Sequence, residues 1–208
     1  MTITKKAVVI GATGTIGRAV ADALEARNYE VVRASRNGDV QVDLEAPASI
    51  DALFARVDAI DAVVVTAGSG RLTPLEQVSE EEFVYGMKSK VLGQVHLLRR
   101  AADHLRDGGS ITITGGNMFE HLIPGSAVSA FVNNGLEGFV RAAAVEMSRG
   151  IRVNIVSPGW VKETLESLGT ELITSLGLGN VTGTATSDVA QAYVQAIEGT
   201  MTGQTIVP

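Results

Sequence analysis

Residues 7–17 read AVVIGATGTIG, and the fold turns on how this stretch is parsed. Ala7 to Ile10 is a short apolar run of the kind that forms a buried strand. A glycine turn follows at once, and from Thr15 the pattern IGRAVADALEAR places apolar residues at helical spacing. Strand, glycine turn and helix in immediate succession are the setting in which a glycine motif makes a pyrophosphate site. Gly11 suits a turn conformation closed to residues with a Cβ, Gly14 lets the backbone approach a phosphate, and Gly17 lets the helix pack tightly on the strand. The free N–H groups of the helix start, aided by the helix dipole, would face the anion. The candidate binding residues of the motif are therefore Gly11, Thr13, Gly14, Thr15, Ile16 and Gly17. The plainer alternative is a strand–helix turn that needs glycine for its geometry alone.

A chain of 208 residues with 45% hydrophobic content has enough material for one domain with a substantial core. Its net charge of -6 gives no general reason to expect nucleic acid or an acidic membrane as partner. No apolar run approaches the ~20 residues of a membrane span. Met1 to Lys6 leads straight into the first strand, so no signal peptide is expected. Zero cysteines exclude disulfides, thiol nucleophiles and thiolate metal sites, which fits a cytoplasmic protein. His96, His104 and His121 lack a metal-ligand spacing, so no metal site is expected.

Beyond the first helix, Glu30 to Ala34 reads as a second strand and Val40 to Asp43 as a short third. Pro47 opens a helix through about Val57, since proline suits a first helical position. Asp61 to Thr66 is a fourth strand, ending in Ala67-Gly68-Ser69-Gly70. Ser79 to Glu82 resembles a capping box and starts a long helix to about Leu105, which Gly108-Gly109 breaks. Ser110 to Thr114 is strand five. Ser126 to Met147 is another long helix, whose Gly135 and Gly138 suggest close packing. Ile151 to Val156 is strand six, stopped by Ser157-Pro158-Gly159. A helix is expected over Lys162 to Leu176, another capped by Ser187 through about Glu198, and a seventh strand over Gln204 to Val207. Strands alternating with helices imply a parallel sheet covered on both faces. The expected fold is α/β: a single Rossmann-type doubly wound domain over 1–208, with a seven-stranded, mostly parallel sheet.

With these residues in place the chain resembles the short-chain dehydrogenase/reductase family over nearly its whole length. GATGTIG stands where that family's glycine motif stands, with spacing GxxGxxG in place of the usual GxxxGxG. Thr66-Ala67-Gly68 is similar to the family's Asn-Ala-Gly, and Asn154 to Gly159 to the segment beside the nicotinamide. Ser187 to Ala190 and Thr202 to Gln204 match its closing helix and last strand. The resemblance implies a nicotinamide dinucleotide, with Asp43 and Leu44 flanking the adenine, Ala67 and Gly68 lining the ribose, and Pro158, Gly159 and Val161 near the nicotinamide. An acid at the end of the second strand would mark NAD. Here Ser35 takes that place and Arg36 follows, a pair that hydrogen-bonds and charge-pairs a 2′-phosphate, so NADP(H) is preferred over NAD(H). A solvated surface role for Arg36 is the alternative.

The family's catalytic residues do not carry over. Anchored on Leu136 to Phe139, the tyrosine position falls at Ser129 and the lysine position, one turn on, at Asn133. The serine position falls at Gly115 or Gly116, and the asparagine position of the preceding helix at Lys90. Lys90 and Asn133 look like an exchange of the family's Asn and Lys, and a lysine arriving from the other helix would hold the ribose or bias a proton donor. The alternative is a solvated Lys90 beside Lys88. Ser129, Thr114, Asn117 and His121 are candidate proton donors, and packing is the expected role of Tyr85 and Tyr193. Lys90, Ser129, Asn133 and Thr114 are the candidate catalytic set. Trp160 either covers the pocket or belongs to the core, and Glu163 falls where the family often has a cofactor-contacting threonine, with Thr164 one residue late.

Two functions follow. One is an oxidoreductase moving hydride between NADP(H) and a small carbonyl or alcohol substrate by an altered proton relay. The other is a catalytically silent NADP(H)-binding sensor. Resemblance also implies a homodimer or homotetramer through the helices 79–105 and 126–147.

Overall fold

The computed structural model describes residues 4–68, 70–117 and 122–208, and of Ser89 only the backbone. The expected seven strands form one sheet: β1 (Lys6–Ile10), β2 (Glu30–Ser35), β3 (Val40–Gln41), β4 (Ile60–Val65), β5 (Leu105–Thr114), β6 (Arg152–Val156) and β7 (Thr205–Ile206). Their order is β3-β2-β1-β4-β5-β6-β7, and every pairing is parallel. The helices are α1 (Thr15–Glu25), α2 (Pro47–Phe54), α3 (Glu80–Gly86), α4 (Gly93–His104), α5 (Ala127–Glu146), α6 (Lys162–Leu168), α7 (Thr170–Ser175) and α8 (Thr186–Glu198).

Side chains alternate across a strand, and both faces of this sheet are buried. Val8, Ile10, Val63, Ile111 and Ile155 pack with Ile50, Leu53, Leu97, Leu98, Leu136 and Val140 of α2, α4 and α5. Ala7, Val9, Ala62 and Val64 pack with Val20, Leu24, Val189, Tyr193 and Ile197 of α1 and α8. Each fully buried Val, Leu or Ile contributes about 1.5–3 kcal/mol of transfer free energy, so these two layers hold the doubly wound architecture. The chain reverses direction across the sheet between β1 and β4. In such folds the crevice beyond the carboxyl ends of those strands is where ligands bind.

Several local expectations change. The long helix expected from Ser79 is not uniform: a π-helical stretch, Met87–Leu92, joins α3 to α4. Strand β5 already begins at Leu105, paired with Ile60, and Arg106 to Gly109 bulge out before Ser110 resumes pairing with Ala62. The expected helix 162–176 is two, because Gly169 adopts φ +78 between α6 and α7. Gly135 and Gly138 do not mediate close packing within the chain, since a Cβ at either would meet nothing within 4 Å. Ser187 does not cap α8: the helix starts at Thr186, and the Glu163 carboxylate accepts from Thr186 N at 3.0 Å and from its hydroxyl at 2.8 Å. Ser79 does cap α3, accepting from Glu82 N at 3.2 Å, but the Glu82 carboxylate turns outward to Arg71 instead of closing a capping box. No described helix is long and apolar enough to cross a membrane.

Candidate active site

Two adjoining cavities open along the carboxyl edge of the sheet. The first, about 280 Å³, lies over the ends of β1, β2 and β4 and is lined by Gly11, Thr13, Gly14, Ser35, Arg36, Asp43, Leu44, Ala67 and Gly68, among others. Gly11 takes φ +86, and a Cβ there would stand 2.7 Å from Thr66 Oγ1. A Cβ at Gly17 would meet the Gly11 carbonyl oxygen at 2.1 Å, so Gly17 serves the packing of α1 on the turn and lines neither cavity. Thr15, exposed at the first position of α1, also lines neither. No side chain caps α1, which leaves its first amides available to an anion. Ser35 is 7% exposed, and its Oγ is buried without a hydrogen-bond partner. The exposed Arg36 stands beside it at the cavity wall.

The second cavity, about 340 Å³, shares Thr66 and Gly68 with the first and runs under the loop after β4 toward α5. Ile16, Pro158, Gly159, Trp160, Val161 and Thr164 line it on one side, and Lys90, Thr114, Ser129 and Asn133 on the other. Three of the four candidate catalytic residues keep a polar atom that the fold does not fully use. Lys90 Nζ donates to the Gly115 carbonyl at 2.8 Å, and burial lowers its pKa to about 8. Ser129 Oγ donates weakly to Arg71 O at 3.3 Å. Asn133 is 5% exposed, and its Oδ1 has no partner. Thr114 also lines the cavity, but its hydroxyl is already engaged, donating to Val65 O at 2.5 Å and meeting Tyr193 Oη at 2.5 Å. His121 lies outside the described residues. Trp160 combines both roles foreseen for it, lining the cavity and packing against Leu165 and Leu178.

A family model for enoyl-(acyl carrier protein) reductase matches residues 11–207. The chain is 32% identical over 186 residues to the 3-oxoacyl-(acyl-carrier-protein) reductase of Escherichia coli, covering 76% of this chain and 74% of that one. The crystal structure of lin1944 from Listeria innocua superposes with a TM-score of 0.90 at 34% identity, over 98% of this chain and 99% of that one. A small-chain dehydrogenase solved in complex with NADPH superposes with a TM-score of 0.84 at 29% identity, over 99% and 97% of the two chains. This chain is a short-chain dehydrogenase/reductase.

The short-chain dehydrogenase/reductase framework gives the glycines after β5 a physical meaning. A Cβ at Gly115 would stand 2.4 Å from Ser157 Oγ, which is fixed by its 2.8 Å bond to Glu137. A Cβ at Gly116 would stand 2.6 Å from Asn133 Nδ2. Neither position has room for a serine, because Ser157 and the Asn133 amide fill that space. The Lys90 stem is likewise accommodated by a glycine: a Cβ at Gly68 would press on Lys90 Cγ at 3.1 Å. Lys90 is thus packed toward the cavity and does not share the exposed face of Lys88.

The structure also adds residues. Tyr85, expected to pack, lines the second cavity, with the Arg71 guanidinium 4.0 Å above its ring centre. Arg71 is paired in turn with Glu82 at 2.8 Å, and the Thr73 hydroxyl bonds the same carboxylate at 3.3 Å. Only the i, i+3 spacing of Glu82 and Tyr85 hinted at this polar mouth in the sequence. Glu163, placed by resemblance near the cofactor, is instead committed to Thr186, while Thr164 does line the cavity.

Proposed function

We propose that this short-chain dehydrogenase/reductase moves hydride between NADP(H) and a small carbonyl or alcohol substrate, through an altered proton relay. The first cavity fits the adenosine half of a dinucleotide. The observation that carries the NADP(H) preference is Ser35: a buried hydroxyl without a partner, next to Arg36, where a carboxylate would repel a 2′-phosphate. The glycine turn would hold the pyrophosphate through Thr13, Gly14, Thr15 and Ile16. Asp43 and Leu44 would flank the adenine, and Ala67 and Gly68 the ribose. Pro158, Gly159 and Val161 would border the nicotinamide. When bound, the nicotinamide supplies the hydride.

The second cavity would then receive the substrate oxygen among Lys90, Ser129 and Asn133. Ser129 would orient it, and the free Asn133 Oδ1 would accept a hydrogen bond from a ribose hydroxyl or a water. The absence of cysteine suits a reducing compartment, and we place the protein in the cytoplasm as a homodimer or homotetramer. Calorimetric titration with NADPH and NADH, followed by a screen of aldehydes, ketones and quinones for loss of nicotinamide absorbance, tests this reading. Tight NADPH binding with turnover is expected; binding without turnover on the whole screen points to a silent sensor.

A further inference from the structure

We propose that Lys90 Nζ is the proton donor to the substrate oxygen, standing in for the family's tyrosine from a different helix. This rests on the oxidoreductase reading above and assigns its missing acid. In a regular helix, residues four apart drift by roughly 40°, so by Lys90 the face that holds Glu82 and Gly86 would have turned well away from the cavity. The π-helical stretch Met87–Leu92 intervenes, and its wider turn cancels that drift. Glu82, Tyr85, Gly86 and Lys90 consequently line one chamber. The Lys90 stem runs along Gly68, and its ammonium reaches the Gly115 carbonyl at 2.8 Å, at the position assigned to the family's serine.

Among the described candidates that line the chamber, the others are worse placed. Thr114 is bonded inward, Ser129 is an aliphatic alcohol of very weak acidity, and the Tyr85 ring lies against Arg71 near the mouth. The hydrogen bond to Gly115 occupies one of the three ammonium protons. No carboxylate pairs with Lys90 among the described residues. The charged and titratable groups packed around the chamber are otherwise engaged: Arg71 with Glu82, and Glu137 with Ser157. Burial alone therefore sets the acidity of Lys90, near the optimum for a general acid at neutral pH.

The step balances simply. Lys90 gives one proton to the carbonyl oxygen as the reduced dinucleotide gives hydride to the carbonyl carbon; the carbonyl becomes an alcohol, the dinucleotide is oxidised, and solvent reprotonates the neutral amine. Reduction should accordingly fall as pH rises through about 8, and alcohol oxidation should rise over the same range.

Lys90→Arg separates charge from proton transfer, because a guanidinium keeps its charge and does not deprotonate. The full-length variant should bind NADPH within about threefold of wild type yet lose ~10²–10⁴-fold in turnover. Independently of turnover, the lysine ε-carbon signal that disappears in Lys90→Arg or Lys90→Met should titrate near 8 in the free protein by NMR. Turnover surviving Lys90→Arg, a loss of turnover confined to Tyr85→Phe, or titration near an ordinary lysine value of about 10.4 would overturn the assignment. Wild type that binds NADPH but reduces no carbonyl would overturn the oxidoreductase reading itself, and the assignment with it.

Discussion

The proposed preference for NADP(H) rests on one side chain, Ser35. Its hydroxyl is buried without a partner at a cavity wall, and an unused buried polar group is costly unless a ligand supplies what is missing. Ser35→Asp should weaken NADPH binding by about 10–100-fold, the worth of a hydrogen bond to a charged group, and spare NADH; equal losses for both by calorimetry would refute the phosphate contact. A second test concerns the missing serine. Gly116→Ser should not repair the site but should destabilise the fold by about 1–3 kcal/mol, read as a lower melting temperature, because the new Cβ would stand 2.6 Å from Asn133 Nδ2. The place of Ser35 and Arg36 on the cavity wall was legible in the sequence because a parallel strand end is a fixed address. Tyr85 was not, since a regular helix puts residues 85 and 90 on different faces and only the π turn reunites them.

At the scale of elements, the short helix α6 stabilises the distant start of α8. The Thr186 hydroxyl first of all, then backbone amides, hold the Glu163 carboxyl below its usual pKa. Because folding depresses this pKa, the contribution is complete at neutral pH and is lost as pH falls through the carboxylate range. Glu163→Gln should therefore melt below wild type at pH 7, with the two curves converging in acid; a gap that persists at low pH would show that the charge is not responsible. The sequence placed helices over both regions, running α6 and α7 together, yet it suggested Ser187 as the cap of α8. A helix end accepts help from any group brought close in space, so a partner 23 residues away leaves no local signature. The strands and their parallel arrangement were far more legible, because runs such as Asp61 to Thr66 must be buried on both faces and have few alternatives.

On the whole molecule, α5 turns an apolar, small-residue stripe outward. Phe131 is 54% exposed and Val145 86%, with Gly135, Gly138 and Ala142 exposed between them, and the Phe131 ring packs tilted against Phe83 with centroids 5.1 Å apart. The glycines that suggested close packing in the sequence lie on this outer surface, where the proposed homo-oligomer would close. Phe131→Glu should shift the protein toward monomer in light scattering, with the melting temperature of the subunit little changed; an unchanged mass would place the interface elsewhere.

The two cavities share Thr66 and Gly68, so neither is independent of the other. A dinucleotide threaded from Arg36 to Trp160 would lay the floor of the inner chamber, and a carbonyl compound lodged there beforehand would obstruct its path. Steady-state kinetics should then follow a compulsory sequence, coenzyme on first and off last, with inhibition at high carbonyl concentration; a random-order pattern of product inhibition would mean that the two compartments load separately.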